Sequence, residues 1–369
     1  MRFFGLTLLL SAFSLCSLSN AYANEIENEL SAIKARLSEL EQMINKQHNM
    51  MMQQTKIIEE KNRQIEQLVQ NNSINDGTTN DGWFNSIEIS GIAEVEASHN
   101  NPDAGDSNSD IVLATAELGI SAQVHEWVSA ETTLLFEEDD TDLEVDVAVV
   151  TIAPPEGSWY VQSGLMYEPF GTFETNLVSD PLTLEIAETR ETSILAGFTR
   201  NGFSGGVYVF NGDLSEDGDD DIDNFGAFAG YAHETDNGSA FALNIGYIND
   251  IGDADTLQEV IQENIDAAAV DYSDYVGGIS IDAMYRYGPF NVVAEYIKAV
   301  DDFEAVELPF KTGGAEPEAF NFEVAYNFTI GSIPATAALA YQGTDEAVAL
   351  ELPEQRIVGA LSAEIFDAT

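Results

Sequence analysis

Phe320-Asn321-Phe322-Glu323-Val324-Ala325-Tyr326-Asn327-Phe328 alternates strictly. Phe320, Phe322, Val324, Tyr326 and Phe328 fall on one side of an extended chain, and Asn321, Glu323, Ala325 and Asn327 on the other, because successive strand side chains point to opposite faces. Working outward, the same period recurs from Trp83 to Phe366. Ile87, Ile89, Ala93 and Val95 oppose Glu88, Ser90, Glu94 and Glu96; Ala114, Ala116, Leu118, Ile120 and Val124 oppose Thr115, Glu117, Ser121 and Gln123. Leu143, Val145, Val147 and Val149 oppose Glu144 and Asp146, and Ile279, Ile281, Ala283 and Tyr285 oppose Ser280, Asp282 and Arg286. About fourteen such segments of roughly 8 to 15 residues can be read, each long enough to cross a bilayer at the usual tilt.

A soluble sandwich also alternates, so the faces and the connections must discriminate. The apolar faces are nearly free of charge, Lys298 being the main exception, and Trp127, Trp159, Tyr167, Tyr231, Phe241, Tyr247, Tyr287, Phe290 and Phe328 sit near segment ends, where interfacial aromatics belong. Connections alternate between tight turns (125–127, 154–157, 200–202, 236–238, 288–289) and longer loops (99–109, 168–191, 212–224, 250–275, 300–318, 344–354), with 139–141 unusually brief. Outer-membrane barrels keep this phase because their periplasmic turns are short and their outer loops long. The expected fold is therefore all-β, an antiparallel transmembrane barrel over 83–369 in the outer membrane of a Gram-negative cell, surrounded by lipid.

The composition agrees. Among 369 residues, 13 Lys+Arg stand against 65 Asp+Glu for a net charge of −52, yet 44% are hydrophobic, too many for a disordered acidic chain. Only six basic residues lie beyond position 70, which excludes nucleic acid as a partner. The start of the chain is built differently. Arg2, the apolar run Gly5 to Leu18 and Ala21-Tyr22-Ala23 form a secretory signal peptide over 1–23. The one cysteine, Cys16, lies within it, so disulfides and thiolate chemistry are not expected downstream. From Ile26 the apolar residues step by four and three through Leu30, Ile33, Leu37, Leu40 and Ile44, the spacing of a left-handed coiled coil over 24–70 on the periplasmic side, which makes a homotrimer the expected assembly. The polar stretch 71–82 reads as a linker.

Strand phase fixes what faces the interior: Glu88, Glu94, Glu96, Glu117, Glu131, Glu144, Asp146, Asp282, Glu295, Glu323 and Glu364, against Arg286 and Arg356. Such a lumen attracts cations. In general porins the third long loop folds into the pore. By that architectural analogy the segment after the fifth strand supplies constriction candidates Glu168, Phe170, Phe173, Glu174, Asp180, Glu185, Glu188, Arg190 and Glu191, with Arg200 at the next hairpin. Arg190 and Arg200 could grip a carboxylate or form a structural salt bridge. Asp217, Asp219, Asp221 and Asp223 are a weak divalent-cation candidate lacking the spacing of a defined site. Leu257, Ile261, Ile265 and Ala268 step at helical spacing inside a long loop. Histidines 48, 99, 125 and 233 form no plausible triad, since strand phase puts His99 across the membrane from His125 and His233; no enzyme and no cofactor are expected.

The stretches Gly164-Leu165-Met166-Tyr167-Glu168-Pro169-Phe170-Gly171-Thr172-Phe173-Glu174-Thr175, Ser179-Asp180-Pro181-Leu182-Thr183-Leu184-Glu185-Ile186 and Glu188-Thr189-Arg190-Glu191-Thr192, with Gly82-Trp83-Phe84 and Ile87-Glu88-Ile89-Ser90-Gly91, resemble the LbtU family of siderophore porins. The resemblance implies a sixteen-strand barrel and TonB-independent uptake of a ferric siderophore by diffusion; a general cation-leaning porin is the alternative. This sequence stops at Asp367-Ala368-Thr369, where a short turn would fall. An open edge in lipid leaves backbone groups unpaired, so a further terminal hairpin is the expectation.

Overall fold

Alternating faces and tight turns produce what their period dictates, a meander in which each strand hydrogen-bonds to the next. The computed structural model describes residues 86–101, 107–138, 141–215 and 222–365; the signal peptide, coiled coil and linker lie outside the described residues. Fourteen strands form one antiparallel sheet in sequence order. They begin with β1 (Ser86–Asn100), β2 (Asn108–His125), β3 (Val128–Phe136), β4 (Glu144–Ile152), β5 (Trp159–Tyr167), β6 (Arg190–Arg200) and β7 (Phe203–Phe210). The sheet continues through β8 (Asn224–Glu234), β9 (Ala240–Ile248), β10 (Gly278–Tyr287), β11 (Phe290–Ala299), β14 (Glu318–Ile330), β15 (Ile333–Asp345) and β16 (Arg356–Ala363). The two-residue strands β12 (Pro309–Phe310) and β13 (Gly313–Gly314) make a separate hairpin inside the loop after β11.

The sheet curls into a barrel wall. Residues following β5 hydrogen-bond to β11 and β14, more than 110 positions onward, and residues of β1, β2 and β16 line one common cavity. No pairing joins β1 to β16 among the described residues. On the outside, directly opposed residues build continuous apolar rows, such as Tyr285–Val292–Val324–Leu339 and Ile245–Ile281–Tyr296–Phe320. Leu339 is 60% exposed and Ile245 52%, an arrangement suited to hydrocarbon. Lys298 lies at the end of one such row, where Glu316 (3.1 Å) and Glu318 (3.6 Å) pair with it. Aromatic contacts band the short-turn end, including Trp127 with Trp159, Phe203 with Tyr231, and Phe290 with Tyr326.

One expected face is wrong. Thr133 pairs with Val147 while Leu134 pairs with Val145, so β4 carries an extra residue at Asp146. A bulge inverts the parity of everything beyond it. Val145 therefore stays outside, whereas Val147 and Val149, expected on the apolar outer face, turn inward, with Val149 only 7% exposed. Strand β1 also runs further than expected, taking His99 out of the loop and into the strand.

The buried core gathers at the long-loop end. The helix Asp255–Ala268 buries Leu257, Ile261 and Ile265, as their spacing requires, and leaves Ala268 exposed. It packs with Leu214, Ile251, Tyr272, Phe303, Leu308 and Leu350 from neighbouring loops. Asn264 Nδ2 donates to the Glu307 carbonyl at 2.9 Å, tying helix and loop together. The long loops thus fold into a cap with its own apolar interior.

Candidate functional site

Between β5 and β6 the chain turns into the barrel instead of away from it. Glu168 N donates to the Thr189 carbonyl at 2.8 Å, closing the root of the segment. Gly171 takes a φ of +95°, which favours glycine, and the chain then reverses at Phe173. The Phe170 ring is fully buried against the inner wall at Gly246 and Gly278, where a Cβ on Gly278 would lie 2.8 Å from the ring. Glycine at these wall positions makes room for an aromatic from the segment.

Two glutamates pin the segment. Glu295 of β11 accepts from Thr172 N (2.8 Å), Phe173 N (3.2 Å) and the Thr183 hydroxyl (2.5 Å). Glu323 of β14 accepts from the Thr175 hydroxyl (2.8 Å), Asn176 N (2.7 Å) and the Asn176 side-chain amide. Asn291 Nδ2 donates to Asn176 Oδ1 at 3.1 Å. Further along, the short helix Leu182–Glu185 lies against β11, β14 and β15 with Leu182 and Thr183 buried. Arg356 of β16 donates to the Asp180 carbonyl and, through Nε, to Gln342 Oε1 at 2.8 Å.

At the root, Arg190 Nη1 reaches Glu144 at 2.6 Å and Asp146 at 3.2 Å, and the Tyr167 hydroxyl donates to Asp146 at 2.7 Å. The cap joins here as well: Asp255 N donates to the Glu188 carbonyl (2.8 Å), and Arg190 N to Asp255 Oδ1 (3.3 Å). Few cations offset the carboxyls collected around this joint. Burial pushes Glu168 up to about 7, with the nearby Ser193 hydroxyl opposing the shift. Burial also raises Glu188 to about 7, with Asp255, Asp180 and Asp146 adding to the shift and Arg190 opposing it. Asp253 rises to about 7, chiefly through burial, although it accepts from Leu214 N at 2.9 Å. Asp250 is held well above its ordinary value by burial and by Asp253.

Beside the segment lies a cavity of about 540 Å³, whose lining includes Glu94, Glu96, Glu137, Asp180, Glu185 and Arg356. It lies between the segment and β1 and β2, with Arg356 of β16 reaching the segment at Asp180 on its border. Five carboxylates and one guanidinium line it. Glu137 is absent from the sequence-based set, yet it shares the parity of Glu131, and extending that strand by one alternation finds it.

The other expected residues divide by location. Glu88 stands opposite Ser121, and Ser121 opposite Glu131, so register places all three on the inner face; Glu117 stands opposite Ile92 on that face. Glu295, Glu323 and Asp282 are buried, and Asp282 accepts from Asn244 at 2.8 Å. Their carboxylates serve the fold and do not line open water. Glu174 is exposed on the segment, Phe173 is half-buried, and Glu191 sits with Asp213, Asp253 and Asp255 beside the helix. Arg200 lies at the short-turn end of β6, ten residues or roughly 33 Å along the strand from Arg190. It therefore stands apart from the inserted segment with which the sequence reading grouped it. Arg286 is exposed opposite Asn291, and Glu364 is exposed beyond β16. Of the acidic-loop candidates, Asp217, Asp219 and Asp221 lie outside the described residues, and Asp223 accepts from the Tyr275 hydroxyl at 2.9 Å. Among the described residues no group of three metal-ligating side chains converges. His99 meets Ser109 Oγ at 2.8 Å at the long-loop end, far along the strands from His125 and His233.

No family model matches the chain. It is similar to a UPF0422 protein of Legionella pneumophila strain Paris, 27% identical over 303 residues, covering 77% of this chain and 57% of the relative. A UPF0422 protein of Coxiella burnetii is 26% identical over 288 residues, covering 73% of this chain and 59% of the relative. The chain thus spans somewhat over half the length of these relatives. Among solved structures, an anion-selective porin from Comamonas acidovorans superposes with a TM-score of 0.47 at 12% identity, over 70% of this chain and 79% of that one. OprB of Pseudomonas putida gives 0.47 at 8% identity, over 73% and 79%.

Proposed function

We propose that this protein is an outer-membrane porin, passing small solutes by diffusion with no chemical step, and that its passage favours cations. One observation carries the reading: the segment 168–189 is pinned across the interior by Glu295 and Glu323 and leaves beside it a passage lined by five carboxylates and Arg356. Carboxylates around a water-filled constriction concentrate cations and repel anions. The apolar outer rows suit a membrane setting, and the N-terminal heptads favour a homotrimer with its coiled coil in the periplasm.

A ferric siderophore is the more specific cargo. It rests on the resemblance of residues 164–192 to siderophore porins, and those residues build the inserted segment. The acidic passage narrows this cargo to neutral or cationic complexes, since an anionic carboxylate siderophore would be repelled. A deletion strain should lose uptake of a radiolabelled cationic ferric siderophore while keeping that of unrelated solutes; equal loss of both favours the general porin.

Reversal potentials in planar bilayers under a salt gradient test the ion preference. The wild type should prefer potassium over chloride, and Arg356→Ala, which removes the one cation and the latch to Asp180, should prefer it more strongly with a larger conductance. Anion preference in the wild type would defeat the proposal.

A further inference from the structure

We infer that the barrel interior holds a second recognition site, a niche on the inner wall of β3–β8 for a small organic cation with an apolar body. The inference rests on the pore reading, because it places the niche in a solvent-filled lumen. Alternating strands around water should present polar groups inward, and this stretch of wall sets apolar side chains among them. The bulge at Asp146 turns Val147 and Val149 inward, and Leu195 and Phe228 join them around a cavity of about 300 Å³, roofed by Pro169 of the inserted segment. That volume is at the small end for ligand pockets.

The wall is also shaped for flat groups. Tyr160 lies over Gly197 and Phe228 over Gly206: a Cβ at those glycines would come within 2.4 Å and 2.8 Å of the rings. Both rings are therefore laid along the wall. Gly164, at φ +142°, faces the same interior between Val149 and Ser193 without a side chain. Apolar surface held against water favours whatever covers it, by roughly 25 cal/mol for each Å² removed.

Charge decides the class of occupant. Glu131 is the one formally charged side chain on the lining, and it has no ion-pair partner among the described residues. The neighbouring Gln162 is engaged with the Thr151 hydroxyl at 3.3 Å, and Tyr167 with Asp146. A lone carboxylate beside aromatic and aliphatic walls matches an ammonium head on an aromatic or aliphatic body, with the ring faces adding cation–π attraction. The acidic passage beside β16 attracts any cation, whereas the niche also requires an apolar part.

Isothermal titration of the full-length protein in detergent micelles tests this with three probes: benzyltrimethylammonium, tetramethylammonium and benzenesulfonate. The first should bind at least about tenfold more tightly than either other, since reversing the charge or losing the ring forfeits on the order of 1.4 kcal/mol, a factor of ten. Glu131→Gln, at a solvent-exposed position, should weaken benzyltrimethylammonium about tenfold by the same conversion. Val149→Phe, which fills the niche, should abolish its preference over tetramethylammonium. Equal affinity for all three probes, or both variants binding like the parent, would overturn the inference. Conductance of the same preparations separates the two readings. A protein that conducts without binding overturns the niche alone; one that binds without conducting overturns the pore reading and upholds the niche as a site.

Discussion

Glu295 and Glu323 show how one residue type can be read correctly for position and incompletely for role. Strand parity puts both on the inner face, and there they are, but each is almost entirely buried and accepts three hydrogen bonds from the inserted segment. A carboxylate so engaged holds a backbone in place and offers little field to a passing ion. Sequence alone could not supply this, because the donors lie 112 to 148 positions away. Replacement of Glu295 by alanine leaves two backbone N–H groups and the Thr183 hydroxyl without an acceptor. The Thr183 hydroxyl is buried, whereas Thr172 is exposed and Phe173 half-buried, so the full penalty for an unsatisfied group, about 1–3 kcal/mol, applies to Thr183 and a loss of that order is expected. Glu295→Ala should melt at lower temperature, and a cysteine placed at Thr175 in that background should react faster with a water-soluble thiol reagent. Unchanged labelling would show that the segment is held by its other contacts.

Elements follow their period wherever no residue is inserted. The turn phase, the strand positions and the helix carrying Leu257, Ile261 and Ile265 were all legible, because a period of two or of 3.6 is a local property. The bulge at Asp146 was not, since an extra residue leaves a run of valines looking equally regular on either parity, and only the partner strand reveals the shift. The cap was legible as loops but not as a folded body. Its joint with the segment collects Glu168, Glu188 and Asp253, each raised to about 7, mainly by burial. These groups fold more favourably in the neutral form. The stability they confer is complete below about pH 4 and is lost as pH rises through about 7, the reverse of an acid-labile salt bridge. Hydrogen-exchange protection factors, corrected for the intrinsic base-catalysed rate, should therefore be larger across residues 186–189 and 249–255 at pH 5 than at pH 8. Protection factors that are smaller at pH 5 would contradict the assignment.

Across its described residues the molecule places apolar groups on the outer rows of the wall, in the interior of the cap and on one stretch of the inner wall. Its barrel architecture was legible because apolar outer faces and turn asymmetry persist over many strands. The position of the cap relative to the passage was not, since it depends on contacts between loops far apart in the chain. Those long separations also dictate an order of events. The segment leaves β5 early in the chain, but its moorings are on β11, β14 and β16, so it has nowhere to settle until late strands are in place. During refolding into detergent, the far-ultraviolet signal of strand formation should precede protection of residues 168–189 from protease. If so, an open wall comes first and insertion of the segment is the finishing step, and on the proposed porin reading a newly assembled copy leaks until that step is complete.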